Sequence, residues 1–414
     1  MGATQRKRTE NRAEVAPPQP VDLLPRRLLT TVASALVMLV LLASTARVPA
    51  DEPADEPADE PADEIAEPMG VIQRLPVTYP DHWMMVQDIS FFHMSEGEIL
   101  VVDPLATTQP SQYKGMLTAS FSAAYQRSRI RGEQYVIETF SSRGTRGGER
   151  TDVVTIYDNA GLQVQGEILI PAKRLNGMPK PIATGLSADE RLLMVYNFTP
   201  AQSVSIIDLE SRAFVAEVQT PGCGFVVPTG ERSFFSICSN GSLRTTHLDQ
   251  AGKPVSSEQT DKLFDADADP IFEAFASIGG VVYFPTFQGQ VLPVSVAGES
   301  PIPGEAWWLT DAIERTWRPA GVRPVIADAD GVGYFLMQPD GAEGTHKNGG
   351  SEVWVFDLKK QQRTGRITLK NWGISLGTSG RGKSRLLAVP TAEMKVDIYR
   401  LPGGEFVQDR KSVV

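Results

Sequence analysis

The sequence predicts an all-β chain, a seven-bladed β-propeller preceded by a signal peptide and a disordered acidic tether, and three observations carry that expectation. From about residue 80 onward the apolar residues come in short runs rich in Val, Ile, Phe and Tyr, separated by Gly, Pro, Asp and Asn. That is the texture of many short antiparallel strands, with almost no helical period. One element then recurs: an alternating strand ending in or near an Asp, a turn, and another short strand. It stands as Ile99-Leu100-Val101-Val102-Asp103, Val153-Val154-Thr155-Ile156-Tyr157-Asp158, Val204-Ser205-Ile206-Ile207-Asp208 and Val353-Trp354-Val355-Phe356-Asp357. Weaker copies end at Asp249, Val296 and Tyr399, so the seven ends lie 55, 50, 41, 47, 61 and 42 residues apart. A period of roughly 40 to 50 residues with about four strands per repeat is the signature of propeller blades. The turns agree, because Ser187-Ala188-Asp189-Glu190, Ala329-Asp330-Gly331 and Pro339-Asp340-Gly341 favour tight reversals. A pair of β-sandwiches is the competing architecture.

Ahead of the repeats, residues 1–50 read as a leader. The basic residues Arg6, Lys7, Arg8 and Arg12 and the pair Arg26-Arg27 precede an apolar run from Leu28 to Ala43, and Val48-Pro49-Ala50 offers small residues for cleavage near Ala50. That run is short of the roughly 20 residues that span a bilayer as a helix, so export with cleavage is the main reading and an N-terminal membrane anchor the lesser one. The twin arginines leave export in a folded state open, although Leu29 and Thr30 follow that pattern loosely. Residues 51–70 contain three Asp-Glu-Pro-Ala repeats, which carry like charge, lack an apolar face and break helices with Pro53, Pro57 and Pro61. Such a segment is an extended, solvated tether. Residues 71–414 then hold one propeller.

The whole chain of 414 residues carries a formal charge of −10 and is 41% hydrophobic, enough for a sizeable core. Without leader and tether the body is only near −5 and has no basic patch for nucleic acid. The two cysteines, Cys223 and Cys238, read in an exported chain as a disulfide, with two free buried thiols as the alternative.

Several motifs invite chemistry and are better read as structure. Gly377-Thr378-Ser379-Gly380-Arg381-Gly382-Lys383-Ser384 fits a phosphate-binding loop letter for letter. The residues that follow, Arg385-Leu386-Leu387-Ala388-Val389-Pro390, are a short apolar run stopped by proline, so no helix can follow and a glycine-rich turn is expected. Asp265, Asp267 and Asp269 resemble the start of a calcium loop, but Pro270 and Ala276 stand where Gly and Glu belong. The four histidines, His82, His93, His247 and His346, show no metal-ligand spacing, so no metal is expected on this chain. Adjacent Trp307 and Trp308 on an extended chain point to opposite faces and cannot be joined ring to ring. A chain without a catalytic constellation of its own can serve a partner's chemistry.

The segments Thr145-Arg146-Gly147-Gly148-Glu149-Arg150-Thr151-Asp152-Val153-Val154, Phe198-Thr199-Pro200 leading to Ile206-Ile207-Asp208-Leu209, and Cys223 to Cys238 followed by Asn240-Gly241-Ser242-Leu243 resemble the heavy (large, alpha) chain of quinoprotein amine dehydrogenases, the methylamine and aromatic amine dehydrogenase family. Asp269-Pro270-Ile271-Phe272, Trp317-Arg318-Pro319 and Pro339-Asp340-Gly341-Ala342-Glu343-Gly344-Thr345-His346-Lys347 are similar to the aromatic-amine branch in particular. The likeness is collinear from about residue 90 to 400.

The resemblance implies a periplasmic, non-catalytic propeller subunit in a heterotetramer of two heavy and two light chains. In that family the light chain carries tryptophan tryptophylquinone, oxidises primary amines to aldehyde and ammonia, and passes electrons to a blue-copper protein of the azurin or amicyanin kind. By the same resemblance Phe121, in Ser120-Phe121-Ser122, falls at the substrate channel, and Cys223 and Cys238 match the family's intrachain disulfide. A Phe between strands, at the surface or in the core, is the alternative for Phe121. Gly148 looks like an insertion, Ala320 stands where the family commonly has glycine, and the tether has no evident counterpart, which weakens any inference about substrate. Two other function classes stay open: an exported propeller that binds a ligand or protein outside any oxidase complex, and a self-sufficient propeller hydrolase, which the sparse histidines disfavour.

Overall fold

A computed structural model describes residues 74–89, 94–311 and 314–411. The leader, the cleavage point at Ala50, the Asp-Glu-Pro-Ala tether and His93 lie outside the described residues. Seven antiparallel sheets follow one another along the chain, each finished before the next begins. Blade 1 consists of Met84–Asp88, Glu96–Val102 and Tyr113–Ser120. Blade 2 has four strands, Ala124–Arg127, Glu133–Ser141, Arg150–Asp158 and Val164–Ile170. Blade 3 runs from Thr184–Leu186 to Ala213–Gln219, and blade 4 from Cys223–Thr229 to Pro254–Gln259. Blade 5 begins at Ala276–Ile278, blade 6 at Arg318–Pro319 and blade 7 at Gly377–Ser379, ending with Glu405–Lys411. Among the described residues no helix is long and apolar enough to cross a membrane.

The expected four strands per blade hold in blades 2, 3, 4 and 7, whereas blades 5 and 6 gain a short fifth strand and blade 1 has three described strands. Asp103 follows the middle strand of blade 1 as Asp158 follows the third strand of blade 2, so the blade 1 strands correspond to the second, third and fourth of the others. First strands line the centre of the ring: Ala124–Arg127 lies against Thr184–Leu186, which lies against Cys223–Thr229, and Val325–Ala327 lies between Ala276–Ile278 and Gly377–Ser379.

Seven buried apolar clusters hold the ring together, one in each gap between neighbouring blades. In the strand Leu192–Asn197, Leu193 and Val195 join the cluster shared with blade 2, while Leu192, Met194 and Tyr196 join the one shared with blade 4. Such a middle strand is buried on both faces and therefore reads as a continuous apolar run. The outermost strands, such as Val164–Ile170, are half exposed and alternate. Met84 and Leu105 of blade 1 pack on Leu386, Ala388 and Ile398 of blade 7, which closes the ring without a covalent link.

The recurring Asp of the sequence pattern has a definite task. Asp103 accepts the Leu105 N–H at 3.0 Å, Asp208 those of Glu210 and Ser211, Asp249 those of Ala251 and Lys253, and Asp357 those of Lys359 and Lys360. Each carboxylate caps the tight turn after its strand, satisfying amides that a reversing chain leaves unpaired. Blades are also laced at this end, since Glu190 of blade 3 accepts from Ser128 and the Arg129 amide of blade 2, and Glu299 takes the amides of Glu231 and Arg232. Asp328 joins blades 6 and 7 by accepting from Tyr334 at 2.8 Å and Arg385 at 2.7 Å.

Burial tends to raise the Asp208 pKa, but the Arg191 guanidinium and the amides of Ser211 and Glu210 outweigh it, so the group titrates below the ordinary aspartate value. A depressed folded pKa adds stability that is present above the unfolded value and lost as pH falls through the folded one. Asp208→Ala is therefore expected to cost about 1–3 kcal/mol in urea unfolding near pH 7 and distinctly less near pH 3; an equal cost at both would remove the charge from the explanation.

Candidate functional site

Chain direction gives the ring two unlike ends. One end carries the turns between first and second and between third and fourth strands, where the Asp caps gather. The other carries the hairpins between second and third strands and the connectors from blade to blade. Every segment that bears the family likeness reaches this second end: 145–152 in blade 2, Phe198-Thr199-Pro200 in blade 3, Asn240 to Ser242 in blade 4, 269–272 leading into blade 5, and Trp317 to Pro319 with 339–347 in blade 6. There His346 stacks on Phe287 with ring centroids 3.9 Å apart, and Phe287 in turn touches Phe272. Gly341 donates to the Thr316 carbonyl at 2.6 Å and Gly321 to that of His346 at 2.7 Å, so three of the motifs form one packed unit.

Phe121 sits at the same end, in the connector from blade 1 to blade 2. Ser120, Phe121, Ser122 and Ala123 form a tight turn closed by the Ala123 N–H on the Ser120 carbonyl at 3.2 Å. Ser122 takes a φ of 58°, a left-handed conformation that side chains other than Gly and Asn rarely adopt, and it is 2% exposed. The half-buried Phe121 lines a cleft of about 620 Å³ between blades 1 and 2, together with Met94, Phe140, Tyr157 and Glu138. The size suits a small molecule, and the walls combine apolar side chains with polar and acidic ones in nearly equal measure.

The polar side of this cleft is a buried ionic network. Glu138, 3% exposed, accepts the Ser120 N–H at 2.7 Å and the Thr155 hydroxyl. Burial raises its pKa, opposed by those two hydrogen bonds and by Arg174. Arg174, 2% exposed, donates to the Ser122 carbonyl at 3.1 Å, and its own N–H donates to Asp152 at 3.0 Å. Burial lowers its pKa to about 10, with Asp152 acting in the opposite sense. Arg150 grips Asp152 with two hydrogen bonds at 2.8 and 2.7 Å, and Thr139 donates to the same carboxylate. Because buried charges are stable only when paired and hydrogen-bonded, the arrangement is rigid.

The other sequence readings fall as follows. Cys223 and Cys238 are cross-strand partners in blade 4 joined by a disulfide, and Cys238 borders a second, apolar hollow of about 440 Å³ with Tyr196, Phe198, Phe225 and Phe272. Residues 377–384 are the short first strand of blade 7, Gly377–Ser379, and a glycine turn whose Gly380 and Gly382 have φ of 80° and 53°, followed by the strand Leu386–Pro390. Asp265 caps its own turn through Asp267 and Ala268 and pairs with Lys262, while Asp269 holds the Gln288 amide. His82 faces Asp103 at 3.3 Å and His247 faces Glu258 at 3.4 Å. Among the described residues no group of three or more His, Cys, Asp or Glu is placed to hold a metal ion. Trp307 is buried against Phe335 and Phe356, while Trp308 lies under Arg315, the opposed faces expected of neighbours on a strand.

The sequence profile of the family "Methylamine dehydrogenase heavy chain (MADH)" matches residues 85–411, from the first blade to the last. The chain belongs to this family. It is 26% identical over 259 residues to the methylamine dehydrogenase heavy chain of Methylorubrum extorquens, covering 61% of this chain and 62% of that one. The corresponding heavy chain of Methylophilus methylotrophus is 28% identical over 260 residues, covering 61% and 63%. The alignments thus span under two thirds of the length of these relatives. Among solved structures, the periplasmic gluconolactonase of Pseudomonas aeruginosa superposes with a TM-score of 0.56 at 14% identity, covering 80% of this chain and 96% of that one. A putative 6-phosphogluconolactonase of Bacteroides uniformis gives the same TM-score at 11% identity, with 80% and 97% covered. These likenesses concern the propeller fold alone.

Sequence reasoning named Phe121 but missed Glu138, Asp152 and Arg174. Glu138 left a signal, a lone acid inside the apolar strand Tyr135-Val136-Ile137-Glu138-Thr139-Phe140. Arg174 left none, since a basic residue in a loop is ordinarily solvated. Replacing Ser122 by Gly is expected to raise stability, or leave it unchanged, by up to about 1 kcal/mol because the strain at φ 58° is relieved. A loss above that in thermal unfolding would mean that the Ser122 side chain itself holds the turn. Replacing both cysteines by serine is expected to cost about 3 kcal/mol, from a loop of 15 residues left unclosed in the unfolded chain, read as the urea midpoint under oxidising conditions.

Proposed function

We propose that this chain is the non-catalytic heavy subunit of an exported amine dehydrogenase, working in the periplasm after loss of the leader near Ala50. Its companion is a light subunit, two of each forming the complex, and the electron acceptor is a blue-copper protein of the azurin or amicyanin kind. When present, the light subunit's tryptophan tryptophylquinone supplies the two-electron oxidation that turns a primary amine into aldehyde and ammonia. The adjacent tryptophan pair on this chain is not placed for a ring-to-ring cross-link, because Trp307 packs on Phe335 while Trp308 lies under Arg315 on the opposite face.

What remains for this chain is seating and shaping. The end that gathers the family motifs is the docking face for the light subunit, and the cleft beside Phe121 is a wall of the substrate channel. An aromatic edge there shields the hydrocarbon part of an amine from water and limits its size. The reading rests on one coincidence: a family match running through all seven blades, and a cleft walled in part by Phe121 and Phe140 at the end where the motif loops meet.

The test is co-expression with a light chain of the same family, followed by amine-dependent reduction of a dye. Activity is expected only in the complex, and comparing methylamine with phenethylamine reads whether the likeness to the aromatic-amine branch extends to substrate. A heavy chain that is active alone, or that forms no complex with any quinone-bearing subunit, would overturn the proposal and favour an independent binding propeller.

A further inference from the structure

The turn that presents Phe121 is held at both shoulders by buried charges of opposite sign, Glu138 from blade 2 and Arg174 from the connector between blades 2 and 3. On the amino side the Glu138 carboxylate accepts the Ser120 N–H at 2.7 Å, and Thr139 donates its N–H to the Ser120 hydroxyl at 3.1 Å. On the carboxyl side the Arg174 guanidinium donates to the Ser122 carbonyl at 3.1 Å. The two charged groups are themselves held, Glu138 by the Thr155 hydroxyl and the Arg174 guanidinium by the Leu175 carbonyl at 3.0 Å and the Asn176 side-chain oxygen at 3.3 Å, while the Arg174 backbone is anchored by its N–H on Asp152 and by the Arg150 guanidinium on its carbonyl at 2.8 Å. The peptide groups that enter and leave the Ser120–Ser122 segment are thus tied down, while the Phe121 side chain lines the cleft.

We propose that Glu138 and Arg174 are positioning residues that clamp the Ser120–Ser122 turn and thereby set the size of amine that passes Phe121. This deepens the functional reading above and rests on it. A connector of this kind ordinarily relies on its own turn hydrogen bond and is free to shift with its neighbours. Burying a carboxylate and a guanidinium to hold two backbone groups is a costly arrangement, since each charge left without its partner destabilises the site. A carboxylate alone would secure only the N–H shoulder and a guanidinium only the carbonyl shoulder; the pair fixes both. The strained φ of 58° at Ser122 is consistent with a turn over-determined by its surroundings. With the clamp intact the ring is a rigid wall, and with it loosened the wall yields to bulkier substrates.

Two measurements test the clamp separately from the activity it serves. In the full chain, 4-fluorophenylalanine at position 121 is expected to give one sharp fluorine resonance, and Glu138→Ala to shift or broaden it; an unchanged resonance overturns the proposal whatever the complex does. In the complex, Glu138→Ala is expected to raise kcat/KM for butylamine relative to methylamine about tenfold, mainly through KM. On a Phe121→Ala background the same substitution is expected to leave that ratio where Phe121→Ala alone puts it, because no wall remains to be positioned. A merely structural role would lower kcat for both amines equally and on both backgrounds, and would count against the clamp. Should Glu138→Ala fold poorly, Thr155→Val and Arg174→Lys loosen the same two anchors and are expected to move the ratio in the same direction by a smaller factor. If the parent complex oxidises no amine, the functional reading fails, and the fluorine experiment still decides the clamp.

Discussion

The whole molecule depends on burying both faces of the middle strands of every blade. A sheet with one apolar face is satisfied by a single neighbour, but a strand such as Leu192–Asn197, with buried side chains on both sides, needs two. Only a closed ring gives each blade two neighbours and leaves no face over. The seven apolar clusters between blades are the local form of this constraint, and the contact of Met84 and Leu105 with blade 7 is what completes it.

Once the ring is closed, its two ends are freed for different work. The end with the Asp caps is taken up by its own turns: carboxylates of Asp208, Asp249 and Asp357 are spent on backbone amides, and Glu190, Glu299 and Asp328 tie one blade to the next. The opposite end is built from longer hairpins and connectors, and these carry the family motifs, the cleft beside Phe121 and the apolar hollow beside Cys238. Substitution in the loops of the second end leaves the packing between blades untouched.

Within that second end, the charged groups around the Phe121 turn are more than packing. Glu138 and Arg174 are buried, and each places a hydrogen bond on the backbone of the Ser120–Ser122 connector, while Asp152 holds the Arg174 N–H. Fixed polar groups of this sort give a loop the precision of a strand, and the one aromatic ring between the two anchors inherits that precision.

The sequence by itself determined the number of blades, the place of each third strand and the family. The seven strand ends from Asp103 to Tyr399 fall one to a blade, because strand length, burial and the need for a capped turn are set by neighbours in the chain. The disulfide was legible as well, since two cysteines have only one way to pair. Only the tertiary structure decided that the motif loops share one end and that Glu138 and Arg174 meet at Phe121. Glu138 and Arg174 lie 36 residues apart and on different elements, so no local pattern relates them. Their meeting follows from how the second strand of blade 2 and the connector from blade 2 to blade 3 both pack on the connector from blade 1, a property of the packed blades and not of any one segment.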